Sequence, residues 1–331
     1  MIRVLPAALL LLAACNFDED PDGKYVPPEG QGESPEIVSG YVCAPSGLTL
    51  PWSYVYIPID ENADGVEDFR YETKTDEDGA FEFENLPAGT YTLHVVKGSY
   101  DIVTEFEYDG VDRMNLGGQC IDVGDLRLAV VDGDWDSIEE ILDYLGFPYD
   151  IYTPHAGQAL VTNAEAVGAY DAVFLNCGGS YDGWSASATA GLRNYAFAGG
   201  KVYASDWAYV MIERAFPDMI HFVDEEFAGP KVGETGMVKG EVLDPVLKDV
   251  MGEEVDLYYQ LGAWVVADDV GEGSSVMVQG DPPTSAGSLV DAPLTIRASE
   301  GKGSALYTTF HNESQATSDA KQILFEFVLN L

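Results

Sequence analysis

Basic residues are scarce in this sequence. Its 331 residues include 16 Lys and Arg against 57 Asp and Glu, which gives a formal net charge of −41. Nucleic-acid binding is not expected, because phosphate recognition needs clustered Lys and Arg. Docking of the folded part on an anionic membrane surface is not expected for the same reason. Cations, neutral ligands and basic partners remain compatible with this charge.

Cysteines are few as well. Four cysteines in a chain of this length do not make a disulfide scaffold. Hydrophobic residues nevertheless account for 46% of the chain, so it can bury a sizeable core. Since about 100–200 residues are expected per domain, the length favours two domains.

The apolar run near the N-terminus, Pro6–Ala14, is short. Its roughly nine residues are less than half of the about 20 that a helix needs to span a bilayer. Arg3 precedes the run and Leu12–Cys15 ends it, and this arrangement resembles the lipobox of bacterial lipoproteins. The resemblance implies a signal peptide over 1–14 and acylation of Cys15. The exported protein would then be anchored by lipid in the bacterial cell envelope, at the outer membrane or the periplasmic face.

Residues 15–36 form an acidic stretch rich in Pro and Gly. Positions 16–36 contain seven acids, one Lys, four Pro and three Gly. Such a segment does not bury enough apolar surface to offset the entropy of ordering it. We therefore expect a solvated tether that holds the folded part off the membrane.

Residues 37–123 alternate apolar and polar side chains between turn residues. The strand-like segments are Ile37–Cys43, Trp52–Ile57, Ala80–Glu84 and Thr90–Val96. Short strands at this spacing predict an all-β sandwich.

Within this region, Thr75–Val95 resembles the central signature of carboxypeptidase regulatory-like domains. These are transthyretin-like sandwiches, related to the collagen-adhesin B-type repeats of surface proteins. The resemblance implies a structural or spacer module over 37–123 with a carbohydrate-binding-like fold. Some relatives of this fold bind carbohydrate, and no catalytic residues come with it.

Two cysteines lie at opposite ends of this module. Cys43 is in the first predicted strand and Cys120 is near the last. An exported compartment permits oxidation, so we predict that they form a disulfide. Two buried free thiols are the alternative.

An acidic loop in the sandwich has part of a calcium-binding pattern. Asp60, Asn62 and Asp64 occupy alternate positions, a glycine follows, and Asp68 stands at the ninth place. In calcium loops such oxygen ligands converge on a hard cation. The twelfth position is Tyr71, so the bidentate Glu of an EF-hand is missing, and no flanking helices are evident. Weakly bound calcium and a plain acidic hairpin tip both stay open.

Three aromatic residues, Trp52, Tyr54 and Tyr56, lie two apart and would project from one face of a strand. Facing solvent, they would form a stacking platform for sugar rings, as a ligand-binding site. Facing inward, they would belong to the core, which is the interpretation we favour.

Beyond Gly124 the pattern changes to alternating strands and helices. The predicted strands are 125–131, 149–153, 170–176, 201–205, 263–267 and 275–279, and the predicted helices are 137–146, 188–198, 207–215 and 318–329. Alternation of this kind predicts a parallel sheet with helices on both faces. Ligands in such folds bind at the carboxyl ends of the strands.

Three segments of this region resemble the class I glutamine amidotransferase-like superfamily. Asn176–Gly179 is similar to the glycine-rich turn on the oxyanion side of the pocket, and Gly199–Ala208 is similar to the strand that leads to the nucleophile elbow. Gly301–Glu313 is similar to the strand that ends in the catalytic His and acid, here His311 and Glu313. The resemblance implies a flavodoxin-like three-layer α/β domain over 124–331.

The elbow position, which holds a cysteine in active members, is Asp206. A carboxylate is a poor acyl acceptor, so amidotransferase activity is not expected. Cys177 belongs to a different loop, where we expect a buried free thiol. Three interpretations of the pocket remain. It is a degenerate site with retained polar lining, a small-ligand site walled by Trp184 and Trp207, or a set of Asp206, His311 and Glu313 that holds a metal or performs acid–base chemistry.

The sequence therefore predicts an envelope lipoprotein in which a sandwich spacer carries a non-catalytic amidotransferase-like domain for binding or scaffolding. The expected partners are the membrane, through the N-terminal lipid, and an envelope protein or glycan, and the only expected cofactor is calcium. A carbohydrate-binding envelope protein is one alternative. A hydrolase-like enzyme that uses Asp206, His311 and Glu313 is the other.

Overall fold

The structure is a computed structural model. It describes residues 37–223, 229–285, 287, 289–312 and 317–330. The predicted signal peptide 1–14, the lipidation site Cys15, the tether 15–36 and the candidate acid Glu313 lie outside the described residues. Within the described ranges, no helix combines the length and the apolar character needed to cross a membrane.

The N-terminal described region consists of strands. Their bounds are β1 Ile37–Cys43, β2 Tyr54–Ile59, β3 Phe69–Lys74, β4 Ala80–Glu84, β5 Gly89–Lys97, β6 Tyr100–Tyr108 and β7 Met114–Cys120. One sheet has the order β4–β1–β7 and the other the order β3–β2–β5–β6. Side chains of both sheets meet in one core, where Val38 and Phe81 from the first sheet join Ile57 and Leu93 from the second. The predicted sandwich is present.

Cys43 and Cys120 form a disulfide, which confirms the predicted pairing. The two residues lie opposite each other in the parallel pair of β1 and β7. The disulfide therefore joins the first strand of the sandwich to its last.

The predicted inward orientation of Trp52, Tyr54 and Tyr56 is wrong. In β2 the core positions are taken by the alternate residues Val55 and Ile57, which are fully buried, whereas Tyr54 and Tyr56 lie on the opposite face and are only partly buried. Trp52 precedes the strand, has a φ of +59° and is 37% exposed. The predicted alternation of side chains in β2 is confirmed. Which face of the strand is buried depends on where the second sheet packs, and the aromatic character of the residues does not indicate this.

The second region alternates strands and helices. Its strands are β8 Leu128–Val131, β9 Tyr149–Tyr152, β10 Ala172–Leu175, β11 Lys201–Ser205, β12 Ile220–Phe222, β13 Gly236–Val242, β14 Glu254–Tyr259, β15 Ala267–Val270, β16 Ser274–Gly280, β17 Ala292–Glu300 and β18 Gly303–Thr308. Its helices are α1 Ile138–Leu145, α2 Pro154–Thr162, α3 Ala164–Val167, α4 Ala186–Ala198, α5 Tyr209–Ala215, α6 Pro245–Met251 and α7 Ser318–Leu329.

The main sheet is mixed. Among the described residues its order is β14–β13–β16–β17–β18–β11–β10–β8–β9. The strands from β18 to β9 run parallel to one another, and β17, β16, β13 and β14 extend the sheet through antiparallel pairs. The strands β12 and β15 pair separately.

Two helical layers cover this sheet. Successive residues of a strand point to opposite faces, and Val130 and Phe174 pack with α1 and α7 on one face, whereas Val131 and Leu175 pack with α2, α4 and α5 on the other. All these strand residues are buried, as a sheet covered on both faces requires. The predicted three-layer α/β architecture is confirmed.

One local prediction in the second region is confirmed and another is wrong. Helix α1 ends at Gly146, whose φ of +80° provides the left-handed cap that the glycine predicted. The predicted strand 263–267 is wrong, because residues 260–266 form a loop and only Ala267 belongs to a strand. Trp264 in this loop makes an isolated bridge to Gly233.

The two regions are in contact through the hairpin between β5 and β6. Lys97 forms an ion pair with Glu326 of α7 at 2.9 Å, and the two side chains are 5% and 3% exposed. The backbone N–H of Ser99 donates to the carbonyl oxygen of Leu329 at 3.0 Å. Gly98 has a φ of +60°, and a Cβ there would lie 1.9 Å from that same oxygen, so this approach requires glycine.

Candidate functional site

Polar side chains follow neighbouring parallel strands at the carboxyl edge of the main sheet. Asp136 comes after β8, Cys177 after β10, Asp206 after β11 and His311 after β18. Because the carboxyl ends of parallel strands meet at one edge, these residues lie close together although they are far apart in the chain. The site is therefore a product of the strand order.

Asp206 lies at the tight turn that follows β11. Its φ of +41° is in the left-handed region, where a residue other than glycine is uncommon. The hydroxyl of Tyr307 donates to the Asp206 carbonyl oxygen at 3.0 Å, and the backbone N–H of Val265 donates to Oδ1 at 2.7 Å. The side chain is 4% exposed, and burial raises its pKa to about 7. The turn thus holds a buried carboxylate at the position that the resemblance assigned to a nucleophile.

Cys177 is a buried free thiol in the loop after β10, as predicted, and its contact with Asp206, which was not predicted, makes it part of this site. Its thiol donates to Oδ2 of Asp206 at 3.6 Å. Burial and the nearby Asp206 carboxylate raise the pKa of Cys177 far above its usual range, so the thiol is protonated at neutral pH. A Cβ on Gly133 would lie 2.1 Å from the Cys177 carbonyl oxygen, so glycine allows the loops after β8 and β10 to meet.

His311 lies beside Asp206, as the sequence comparison with amidotransferases implied. Its Nε2 atom is 4.0 Å from Oδ2 of Asp206, which is within ion-pair range but longer than a hydrogen bond. Burial lowers the pKa of His311 to about 4, so the ring is neutral at pH 7. The pair is therefore close but not a charged imidazolium–carboxylate couple.

Asp136 holds the surrounding loops in place, and no sequence motif indicates this role. Its carboxylate accepts hydrogen bonds from the Ser205 hydroxyl, from the backbone N–H of Ser137 at 2.8 Å and from that of Asn312 at 2.7 Å. The hydroxyl oxygen of Ser205 in turn accepts from the Cys177 backbone N–H at 3.0 Å. Burial raises the pKa of Asp136 to about 7, although these donated hydrogen bonds act in the opposite direction. One carboxylate thus links the loops that carry Cys177, Asp206 and His311.

A cavity of about 360 Å³ opens above these residues. Cys177, Asp206 and His311 form its polar floor, and the walls are mostly aromatic: Trp135, Trp207, Tyr258, Tyr259, Trp264 and Phe310. At the walls, Trp135 is 46%, Trp207 39% and Tyr258 42% exposed. The cavity therefore combines a buried polar end with exposed aromatic faces, which is typical of small-molecule sites.

The loop 260–266 makes one wall of this cavity. Trp264 stacks on Tyr259 with ring centroids 3.9 Å apart, and its indole N–H donates to the Glu234 carbonyl oxygen at 2.8 Å. The indole N–H of Trp207 donates to the Ala263 carbonyl oxygen at 2.9 Å. Trp207 was predicted as a wall and lines the cavity, whereas Trp184, predicted with it, is buried in the core with residues of α2, α4 and α5.

The other candidate sites lie in the sandwich, away from the cavity. In the loop between β2 and β3, the carboxylate of Asp60 accepts hydrogen bonds from the backbone N–H groups of Asp64 at 3.2 Å and Gly65 at 2.7 Å. The carboxylate of Asp68 accepts one from the backbone N–H of Glu61 at 2.8 Å. Asn62 likewise accepts from Asp64 at 2.9 Å. These contacts close the loop on itself, and calcium binding there stays a prediction.

The outer face of β2 carries a short aromatic row. Tyr54 stacks on Tyr56 with ring centroids 5.3 Å apart, and Tyr56 stacks on His94 at 4.8 Å. The guanidinium of Arg70 lies 4.6 Å above the Tyr56 ring. This row lies on a partly exposed strand face, whereas the cavity above Cys177, Asp206 and His311 is concave, so the cavity is the better candidate for a small-molecule site.

No protein-family model matches the chain, and no curated protein matches it. Solved structures are similar to it at low identity. A cytoplasmic protein from Salmonella typhimurium is 11% identical, with 73% of this chain and 94% of that chain covered and a TM-score of 0.42. A ThuA-like protein from Parabacteroides merdae is 15% identical, with coverage of 62% and 86% and a TM-score of 0.42. A β-galactosidase from Rahnella sp. R3 is 14% identical, with coverage of 62% and 30% and a TM-score of 0.36. At these TM-scores the similarity says nothing about activity or ligand.

Proposed function

We propose that this protein is a lipid-anchored protein of the bacterial envelope whose α/β region binds a small polar ligand without acyl-transfer catalysis. The observation that carries the proposal is the cavity of about 360 Å³, in which Cys177, Asp206 and His311 form the floor and aromatic side chains form the walls. The sandwich 37–123 would serve as the spacer between this cavity and the membrane.

The protonation states at the site argue against a cysteine nucleophile. An amidotransferase needs a thiolate at the elbow that is activated by histidine. Here the elbow residue is Asp206, and Cys177 is a protonated thiol that donates to it. His311 is neutral because burial lowers its pKa to about 4. These three groups therefore bind and orient a ligand in our proposal.

The walls indicate the chemistry of the ligand. Exposed aromatic rings such as those of Trp135 and Tyr258 offer apolar faces for stacking, and the buried Asp206 carboxylate accepts hydrogen bonds at the floor. The net charge of −41 disfavours anions. A ligand with an apolar ring face and hydroxyl or amino donors, such as a sugar or an amine, fits both features.

The lipid anchor remains part of the proposal through the resemblance of Leu12–Cys15 to a lipobox. Metabolic labelling with a radioactive fatty acid tests it directly. We expect incorporation into the full chain and none into Cys15→Ala, and equal labelling of the two chains would remove the anchor from the proposal.

Ligand binding is tested by thermal shift on the detergent-solubilised full chain with a panel of sugars, polyols and small amines. A ligand at a hundredfold excess over its Kd stabilises the folded state by about 2.7 kcal/mol, which is a readable shift. We expect one class to raise the melting temperature, and Trp207→Ala and Asp206→Asn to remove that rise. Tyr56→Ala, on the sandwich, is the matched control and should retain it.

The same panel decides between the cavity and the aromatic row of β2. A shift that Tyr56→Ala removes and Trp207→Ala retains would transfer ligand binding to the sandwich. Absence of a shift with every member of the panel would contradict the proposed ligand class.

A further inference from the structure

We propose that Cys177, Asp206 and His311 form a mononuclear site for a divalent transition metal of the zinc type, with one coordination position open to the cavity. The proposal uses the same cavity as the proposed function but does not depend on its ligand. Calcium in the sandwich loop 60–68 is a separate question, because no residue is shared.

The donor atoms already stand near the distances that coordination requires. One ligand atom from each of Cys177, Asp206 and His311 lies within 4.8 Å of the others. The sulfur of Cys177 is 3.6 Å from Oδ2 of Asp206. Bonds of about 2.3 Å to sulfur and about 2.1 Å to oxygen, at a tetrahedral angle, place those two atoms about 3.6 Å apart.

The histidine completes the set with a small movement. Nε2 of His311 is 4.0 Å from Oδ2 of Asp206. Tetrahedral coordination needs about 3.4 Å between nitrogen and oxygen and about 3.6 Å between nitrogen and sulfur. The three donor atoms lie within 4.8 Å of one another, so the imidazole has to move by up to about 1 Å towards the other two donors. The three donors come from loops after different strands, which lets one loop adjust without breaking the sheet.

The surroundings orient the donors as outer-shell partners do in metal sites. The backbone N–H of Val265 binds Oδ1 of Asp206 at 2.7 Å, which leaves Oδ2 directed towards Cys177 and His311. Asp136 binds the loops of all three donors through Ser205 and the Asn312 backbone. The donor atoms of Cys177 and Asp206 are therefore held in place before any ion arrives.

The donor types select the metal. A thiolate with an imidazole and a carboxylate suits Zn²⁺ or Co²⁺, whereas Ca²⁺ and Mg²⁺ prefer oxygen ligands alone. Binding replaces the hydrogen of the Cys177 thiol by the metal and releases that proton to the solvent. A divalent cation would also offset the charge of the two buried carboxylates, Asp136 and Asp206.

The fourth position faces the cavity rather than protein. Structural zinc sites use four protein ligands, whereas sites with three protein ligands leave one position for water or a bound molecule. Here the three donors form the cavity floor beneath aromatic walls. An oxygen or nitrogen of a ligand in the cavity would occupy that position.

Cobalt titration of the chelator-treated full chain tests the site without any organic ligand. We expect one equivalent of Co²⁺ to give a thiolate-to-cobalt charge-transfer band and the d–d bands of tetrahedral coordination, and Zn²⁺ to displace it. Cys43 and Cys120 are joined in the disulfide, so Cys177 and Cys15 are the remaining sources of a thiolate band, and retention of the band in Cys15→Ala would assign it to Cys177. Absence of this band in the wild-type chain, with the disulfide intact, would overturn the proposal without recourse to any variant.

Variants then assign the ligands. Cys177→Ser should remove the charge-transfer band, and Asp206→Asn and His311→Gln should each weaken binding more than Asp136→Asn, for which about 10–100-fold is expected of an outer-shell partner. His94→Gln is the matched control, because His94 lies beside Asp101 on the sandwich at 3.2 Å and should not affect the titration. Loss of binding in His94→Gln with retention in His311→Gln would place the metal elsewhere and overturn the assignment.

The metal proposal and the proposed function fail separately. The sugar and amine panel is repeated on the chelator-treated chain and on the chain loaded with Zn²⁺. A thermal shift by a ligand without any cobalt signal would remove the metal and keep the binding function. A cobalt signal without any ligand shift would keep the metal and remove the proposed ligand class.

Discussion

The two regions of this protein differ in where they place acidic side chains. In the sandwich, the described acidic residues lie on the surface, and the core is apolar apart from a few polar side chains. In the α/β region, Asp136 and Asp206 are 2% and 4% exposed and lie at one end of the sheet. Burying a carboxylate costs several kcal/mol unless its surroundings compensate, so the second region gives up stability at one location. The sandwich therefore has an ordinary apolar core, whereas the α/β region contains buried carboxylates at the candidate site.

The buried ion pair between the two regions should give the largest loss of stability when it is removed. Lys97 is a buried cation of the sandwich, and its partner Glu326 belongs to α7. Lys97→Ala leaves Glu326 buried without this partner, so we expect the free energy of unfolding to fall by about 3–5 kcal/mol. Chemical denaturation followed by tryptophan fluorescence measures the loss. The double variant Lys97→Met with Glu326→Leu should recover most of it, and a double variant as unstable as the single one would contradict the assignment.

Removal of the disulfide, which lies within the sandwich, should give the next largest loss of stability. The double variant Cys43→Ala with Cys120→Ala should lower the free energy of unfolding by about 2–4 kcal/mol, because the reduced chain has more unfolded conformations. Denaturation with and without a reducing agent measures this. The reducing agent should destabilise the wild-type chain and have no effect on the double variant, and an equal effect on both would contradict the prediction.

Buried Asp136 should make the stability of the protein depend on pH. Burial raises the pKa of Asp136 to about 7 in the folded protein, above the value of about 3.9 in an unfolded chain. Between these values the folded state keeps a proton that the unfolded state has released, so this group lowers the free energy of unfolding as the pH rises from about 4 to 7.

Removal of the carboxyl group should remove this contribution. In Asp136→Asn, the free energy of unfolding should decrease less steeply with pH over this range than in the wild-type chain. The two slopes should differ by at most about 1.4 kcal/mol per pH unit, the largest contribution that one titrating group can make. Denaturation curves in the presence of a chelator, at several pH values between about 4 and 7, measure the slope. Asp134→Asn, at an exposed position in the same loop, is the control and should keep the wild-type slope. Identical slopes in all three proteins would show that Asp136 ionises normally.

An exposed ion pair between the same two regions gives the smallest expected effect. Lys74 of β3 lies 3.0 Å from Asp249 of α6, and the two side chains are 51% and 68% exposed. Solvent screens such a pair, so Lys74→Ala should change the free energy of unfolding by less than about 0.5 kcal/mol. The measurement is the same denaturation experiment as for Lys97. A loss as large as that of Lys97→Ala would mean that burial is not what separates these two contacts.

Particular residues show how far the sequence predicts this protein. The apolar runs that became β8, β10 and β11 were recognised, because a strand covered on both faces is apolar throughout. The antiparallel strand β17 was not predicted, although the first five of its nine residues are all buried. The face of Tyr54 and Tyr56 was assigned wrongly, since both faces of a strand carry the same period.

The site was predicted in part. Asp206 and His311 were placed together through the resemblance to amidotransferases, and their side chains are neighbours. Cys177 lies in a different loop as a buried free thiol, as predicted, but neither its contact with Asp206 nor the role of Asp136 follows from the sequence pattern. Nothing in the local sequence relates Cys177 to Asp206, because the hydrogen bond between them joins residues 29 positions apart.

Local sequence patterns specify the helices and strands of this chain and the chemical groups available to it. Periods of two and runs of apolar residues specify strands through the burial they permit, Gly146 ends a helix through its left-handed φ, and Asp206 in place of cysteine excludes a thiol at the elbow. Only the tertiary structure decided which side chains meet. The order β18–β11–β10–β8 brings the ends of four strands to one edge, and long-range pairing of strands, which no local pattern encodes, sets that order. The cavity and its three donors follow from this pairing.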